Sequence, residues 1–449
     1  MRRPWHWLGI AAALWRHTGD AATATQPLTH AAPAYPATVL WVGPNERFTG
    51  IQQALDSLNA PALASTPPAS SSPFSSAPAR TEPAGLTAAP SLHTKAPNDW
   101  VLIRVQPGIY REKLWLTRDR VVIAGSGMGQ TILQYPELRQ HFLARQQQGS
   151  PESTTATLPR GTSLERDWGA AVVNIKASDI ALLDLTVHNS YALEHPTDPA
   201  RFEHQFAVRG FATATRFLTD QAEFLTFGAD TVAMWNKPDG QYYHSHSRFV
   251  GRVDLFCPRG SAVVEYSEFV NHSPTATLWH DGEGDPNQLL VVRHSKFLGV
   301  TGFELGRRHY DGQFVLIGNQ FSANMAPRPI YRRTYPDQPW RDQANQYGDR
   351  YRFADNRWLG TPPATPTRPE HVFWQDNLNA QQAAQYHPDL LFAQWRPTVQ
   401  LAQFRRWLAT ADAASHTHPS PNPRLLNASY ANSSRQGINH HATLDAPRL

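Results

Sequence analysis

Short apolar runs closed by turn residues dominate the chain from about residue 100 to 325. Trp100-Val101-Leu102-Ile103-Arg104-Val105 opens the series, Pro107-Gly108 turns it, and Lys113 to Leu116 and Val121 to Ala124 continue it. Ala170-Ala171-Val172-Val173-Asn174-Ile175 and Ile180-Ala181-Leu182-Leu183 follow the same habit. From about 169 to 325 no long amphipathic helix separates the runs, which excludes a doubly wound α/β sheet. Five phenylalanines recur in a common local setting: Ala222-Glu223-Phe224, Ser247-Arg248-Phe249, Ser267-Glu268-Phe269, Ser295-Lys296-Phe297 and Asn319-Gln320-Phe321. Their spacings are 25, 20, 28 and 24 residues. A repeat of that length made only of strands and turns predicts an all-β solenoid, a parallel β-helix with the phenylalanines stacked inside.

Other stretches break the pattern. Thr49-Gly50-Ile51-Gln52 reads as a capping box, and Ile51, Ala54, Leu55 and Leu58 keep helical spacing. They predict a short N-terminal helix at about 50–58. Residues 60–98 are rich in Pro, Ala and Ser and read as a disordered insertion, 136–167 as a loop with a short charged segment, and 410–449 as a flexible tail. The solenoid domain is expected over 38–400. Met1-Arg2-Arg3, the apolar stretch Trp7 to Trp15 and Ala22-Thr23-Ala24 predict a secretory signal over 1–24, hence a secreted or periplasmic protein. No later stretch reaches the roughly 18 apolar residues of a membrane span.

Composition narrows the chemistry. The formal net charge of +4 is too small to argue for nucleic acid, and no basic run is interleaved with aromatics. One cysteine, Cys257, allows no internal disulfide and reads as a packed filler. Gly125-Ser126-Gly127-Met128-Gly129-Gln130 lacks the third glycine of a dinucleotide fingerprint and reads as a coil turn. There is no G-x-S-x-G elbow and no H-E-x-x-H pair among the 20 histidines, so neither a metal nor another cofactor is expected. Asp230 and Asp254 stand out instead. Asp230 follows Phe224 by six residues and Asp254 follows Phe249 by five. Stacked coils lie about 4.8 Å apart, so the two carboxylates meet on one outer surface. Close carboxylates split their pKa values, which suits an acid–base and nucleophile pair.

Several segments, in order, resemble the pectin methylesterases. Phe48-Thr49-Gly50-Ile51-Gln52-Gln53-Ala54-Leu55 is similar to that family's opening helix, and Pro107-Gly108-Ile109-Tyr110-Arg111-Glu112-Lys113 to its P-G-x-Y-x-E-K signature. Asp184-Leu185-Thr186-Val187-His188-Asn189 resembles D-I-T-F-x-N, and His204-Gln205-Phe206-Ala207-Val208 resembles Q-A-V-A-L. Gly228-Ala229-Asp230-Thr231 falls on Y-Q-D-T, Gly251-Arg252-Val253-Asp254-Leu255-Phe256 on G-T-V-D-F-I-F, and Leu305-Gly306-Arg307 on L-G-R-P-W. The resemblance spans about 41–125 and 161–325. It implies a right-handed parallel β-helix, monomeric, that hydrolyses methyl esters of galacturonate in pectin. Asp254 would be the nucleophile, Asp230 the acid and base, Arg307 the cation that aims Asp254, and Gln205 an oxyanion donor.

The departures carry weight. Ala229 stands where the family has a second glutamine, His309 where it has the tryptophan of L-G-R-P-W, and Cys257-Pro258-Arg259-Gly260 where it has a glycine-containing turn. They suggest a divergent, bacterial-type branch. Trp235, Trp279, Arg259 and Tyr243 are taken as substrate-binding candidates. Arg209, Arg252, Arg259, Arg307 and Arg308 would form a basic face for an acidic polysaccharide. Two other readings stay open: a β-helix lyase or polygalacturonase, and a non-catalytic polysaccharide-binding solenoid.

Overall fold

Phe224 lies in register with Phe249, and the row continues through Phe269, Phe297 and Phe321. Adjacent ring centres are 4.7 to 5.6 Å apart, and none of the five rings has exposed surface. Burying one such side chain contributes about 1.5–3 kcal/mol, so the row is a main cohesive element of the interior. Trp374 closes it, its ring 4.6 Å from that of Phe321. The strand pairings of these coils are parallel. The molecule is an all-β parallel β-helix, as the repeat predicts. The computed structural model describes residues 35–36, 38–58, 99–148, 165–280, 285–339, 342, 350–361 and 374–415. The expected signal at 1–24 and the insertion at 60–98 lie outside the described residues.

The sequence setting of each phenylalanine has a structural reason. Three residues before it the chain bends through the left-handed region, at Gln221, His246, Tyr266 and His294, with φ of 49°, 45°, 52° and 50°. The next residue repairs the interrupted ladder. Ser247 N–H donates to Ser267 Oγ at 3.0 Å, Ser267 N–H to Ser295 Oγ at 3.1 Å, and Ser295 N–H to Asn319 Oδ1 at 3.0 Å. Short hydroxyl and amide side chains are needed there because each must satisfy a backbone group of the preceding coil.

A second sheet carries the positions that matter for function. Its strands are Leu114–Leu116, Ala171–Ile175, Phe206–Gly210, Val232–Met234, Phe256–Pro258, Ala276–Trp279, Glu304–Arg308 and Tyr331–Arg332. Strand alternation sends Phe256 into the main core and Cys257 to the outer face, where it meets Ala233 and Trp279.

Elsewhere the structure corrects the sequence reading. The N-terminal helix is present as Ile51–Ser57, but no side chain of its own caps it. The carboxylate of Glu112, from the P-G-x-Y-x-E-K segment, accepts from Ile51 N–H at 2.7 Å and Gln52 N–H at 2.9 Å. The stretch read as a loop holds a helix, Arg139–Gln148, and a helical turn, Glu165–Asp167. The stretch read as tail begins inside a helix, Pro397–Ser415. That helix lays Phe404 and Trp407 over the outward apolar row of the first sheet, which includes Leu102, Val122, Ala181 and Leu218. Arg405 fixes it to Asp184 and Asp220, and Asp412 pairs with Arg104 at 2.8 Å. A long helix was missed because its apolar face is matched to a sheet, not to a repeat in its own sequence.

Candidate active site

Asp230 and Asp254 precede adjacent strands of the second sheet, and both adopt left-handed backbone conformations, φ 61° and 51°. Aspartate tolerates this region better than most residues, so the local sequence permits the bend. Ala229 pairs with Val253 and His204 pairs with Ala229 across neighbouring coils. Gln205, Asp230 and Asp254 therefore occupy one row, a single coil apart, about 4.8 Å per step. Their backbone N–H groups donate to Ala229, Val253 and Ala276 carbonyls at 3.1, 2.8 and 2.8 Å. The bend is thus held by the ladder, and the two carboxylates are placed by backbone register.

Arg307 reaches Asp254 from the coils beyond. Its Nε donates to Oδ1 at 3.0 Å and its Nη2 to Oδ2 at 2.7 Å, a bidentate pair. Asp254 is only 5% exposed. Burial pushes its pKa up to about 7, against the Arg307 guanidinium that lowers it, with the Asp230 charge adding to the rise. Burial also works against the Arg307 charge, but the Asp254 carboxylate outweighs it and Arg307 stays firmly protonated. Asp230 is more open, its side chain 15% exposed, and His204 Nε2 lies 3.9 Å from its Oδ2. His204 was not singled out from sequence. Its place one residue before Gln205, in register with Ala229, is the signal that could have found it.

Gln205 is placed in the row but its amide is engaged away from the carboxylates. It is fully buried, donates to the Arg201 carbonyl and accepts from Ala192 N–H at 3.3 Å. Trp235 and Trp279 do lie beside the site, in an alternation with arginines. The guanidinium carbons of Arg209 and Arg259 sit 5.0 and 4.7 Å from the Trp235 ring centre, and those of Arg259 and Arg307 sit 5.5 and 5.3 Å from that of Trp279. Cation–π contacts of this kind are worth about 2 kcal/mol when desolvated. Trp279 is 6% exposed, so its ring organises the arginines and offers little area to a sugar. Arg259 is buried as well, with Nη1 donating to Cys257 Sγ at 2.8 Å. Burial pushes the Cys257 thiol up, far from a reactive thiolate.

Two further expectations change. Tyr243 is not at the site. It belongs to a strand of the first sheet, is buried in the cluster under the C-terminal helix, and donates its hydroxyl to Glu265 at 2.8 Å. Neighbouring Tyr242 points into the main core instead, so alternation along the strand decided both. Arg209 and Arg308 do not form an open basic face. Arg209 is buried against Asp167 at 2.6 Å, and Arg308 donates to the Tyr351 hydroxyl at 2.9 Å. His309 is buried among the Trp279, Tyr310 and Tyr335 rings.

This arrangement sits on a backbone shared with solved structures. The chain is similar to a pectin methylesterase mutant in complex with a hexasaccharide, with 14% identity, a TM-score of 0.51, and 80% of this chain and 98% of that chain covered. The fold is that of the pectin methylesterases. PemA from Erwinia chrysanthemi matches with 14% identity and a TM-score of 0.50 over 81% of this chain and 98% of its own. The carrot pectin methylesterase matches with 14% identity and a TM-score of 0.50 over 80% of this chain and 93% of its own. No family model and no curated protein sequence matches the chain. Among the described residues, no helix is long and apolar enough to cross a membrane.

Proposed function

We propose that this chain is an aspartyl esterase that demethylates pectin, hydrolysing methyl esters of galacturonate. The observation that carries the reading is the row of Asp230 and Asp254 on successive coils, with Arg307 bidentate on Asp254. An Asp254 carboxylate oxygen attacks the ester carbonyl carbon and forms a tetrahedral adduct. Collapse breaks the bond to the methoxy oxygen, which leaves as methanol with a proton from Asp230. The acyl group is then an anhydride on Asp254. Water attacks it and gives a proton to Asp230. The bond to Asp254 breaks, leaving a galacturonic acid that gives its remaining proton to solvent and restoring both side chains. Arg307 keeps Asp254 ionised and aimed in a site where burial favours the neutral acid.

The oxyanion donor is the weak link in this scheme. Ala229 has no side-chain amide, and the Gln205 side-chain amide already serves Arg201 and Ala192. That observation favours a second reading, a non-catalytic binder of acidic polysaccharide. Methanol release from highly methylated pectin separates them. The esterase reading expects release by the purified protein and loss in Asp254→Ala and Asp230→Asn. Pectin binding without release in any form would sink it in favour of the binder.

A further inference from the structure

A cavity beside the helix Arg139–Gln148, at the start of the second sheet, has a chemistry that the proposed reaction leaves unused. Its volume is about 350 Å³ and its walls include Lys113, Trp115, Tyr135, Glu137, Phe142 and Arg145. The base is a buried ion pair. Lys113 Nζ lies 2.5 Å from Glu137 Oε2 and donates to the Gly169 carbonyl at 2.6 Å. Arg145 donates to both oxygens of the same carboxylate at 2.7 Å, with its side chain 59% exposed. The Lys113 ammonium also sits 4.9 and 5.1 Å from the Tyr135 and Phe142 ring centres. Trp115 points outward and is 37% exposed.

Two cations against one carboxylate leave a surplus positive charge in a cavity with three aromatic side chains. Aromatic rings take the C–H face of a pyranose, and a fixed cation takes a carboxylate. Burial presses the Lys113 pKa down, a strain that a second anion would relieve. Position matters too. Trp115 is in register with Asn174, then Arg209, Ala233 and Cys257 on successive coils. Four such steps place the cavity about 19 Å along the axis from the strand that follows Asp254, on the same sheet. A polymer lying along the axis spans that distance.

We propose that this cavity is a second binding subsite, one that takes a uronate residue of an acidic polysaccharide whose ester groups are processed at Asp254. The identity of the polymer rests on the esterase reading; the recognition of a sugar acid rests on the cavity alone. Calorimetric titration with unmethylated hexagalacturonate, which carries no ester to hydrolyse, tests it on the full chain. Wild-type protein should bind, and both Trp115→Ala and Arg145→Ala should weaken binding at least about tenfold. A neutral hexasaccharide of glucose should bind more weakly than the uronate. Methanol release from a short methylated oligomer should be unchanged in both variants, with KM raised only for long pectin. Arg145 is exposed, so its variant keeps the test sound if Trp115→Ala fails to fold. Absence of wild-type binding, equal binding by the variants, or equal affinity for the neutral sugar would each overturn the proposal. Should the wild type bind hexagalacturonate through Trp115 and Arg145 yet release no methanol from highly methylated pectin, the esterase reading falls and the subsite stands.

Discussion

Replacing Arg307 by glutamine removes the bidentate cation from Asp254 and leaves a side chain of similar reach. The two contacts are 3.0 and 2.7 Å, and the carboxylate they serve is 5% exposed, so solvent cannot take over. A hydrogen bond to a charged group contributes about 1.5–3 kcal/mol. At about 1.4 kcal/mol per pH unit, its loss raises the Asp254 midpoint by roughly one to two units. Wild-type Asp254 already sits at about 7. The acid limb of kcat/KM should therefore move from near neutrality to about pH 8–9, and the rate at pH 7, where wild-type Asp254 is about half ionised, should fall about 5- to 50-fold. Arg307→Lys keeps a cation and should move the limb less. Initial rates of methanol release across about pH 5 to 10, corrected for chemical hydrolysis, give the profile. An acid limb that stays in place while the plateau drops would refute the claim that Arg307 acts through the ionisation of Asp254. The same shift sets a stability slope. A carboxyl raised above its unfolded value binds more protons when folded, so stability present at low pH is lost as pH rises from about 4 to about 7. Asp254→Asn should flatten that part of the Tm curve.

Other variants probe other parts of the argument. Ala229→Gln supplies an amide beside Asp230 and should raise kcat about tenfold or more if an oxyanion donor is what the site lacks, read as methanol release at saturating pectin. Phe269→Ala empties the middle of the phenylalanine row and should cost about 3–5 kcal/mol, seen as a lower midpoint in urea unfolding. Arg405→Ala should loosen the C-terminal helix, measured as earlier proteolysis near 397–415, while kcat stays unchanged because that helix covers the other sheet.

The repeat legible in the chain determined a great deal. Phenylalanines spaced 20 to 28 residues apart, with Ser or Asn two positions before most of them, specify a coil whose interior stacks like on like. The same counting placed Asp230 and Asp254 at equivalent points of successive coils, because a parallel ladder preserves register and turns sequence offset into spatial position. Tertiary structure alone decided the rest. Tyr243 and Trp279 are both aromatic residues on short strands, and only the identity of the layer packed over each shows that neither offers a free face to sugar. Gln205 kept its row but lost its amide to Arg201 and Ala192, segments that approach it only when the chain is folded. Glu112 caps a helix 60 residues away, and Arg405 crosses about 200 residues to reach Asp184 and Asp220. Local periodicity records which way a side chain points; it does not record what arrives to meet it.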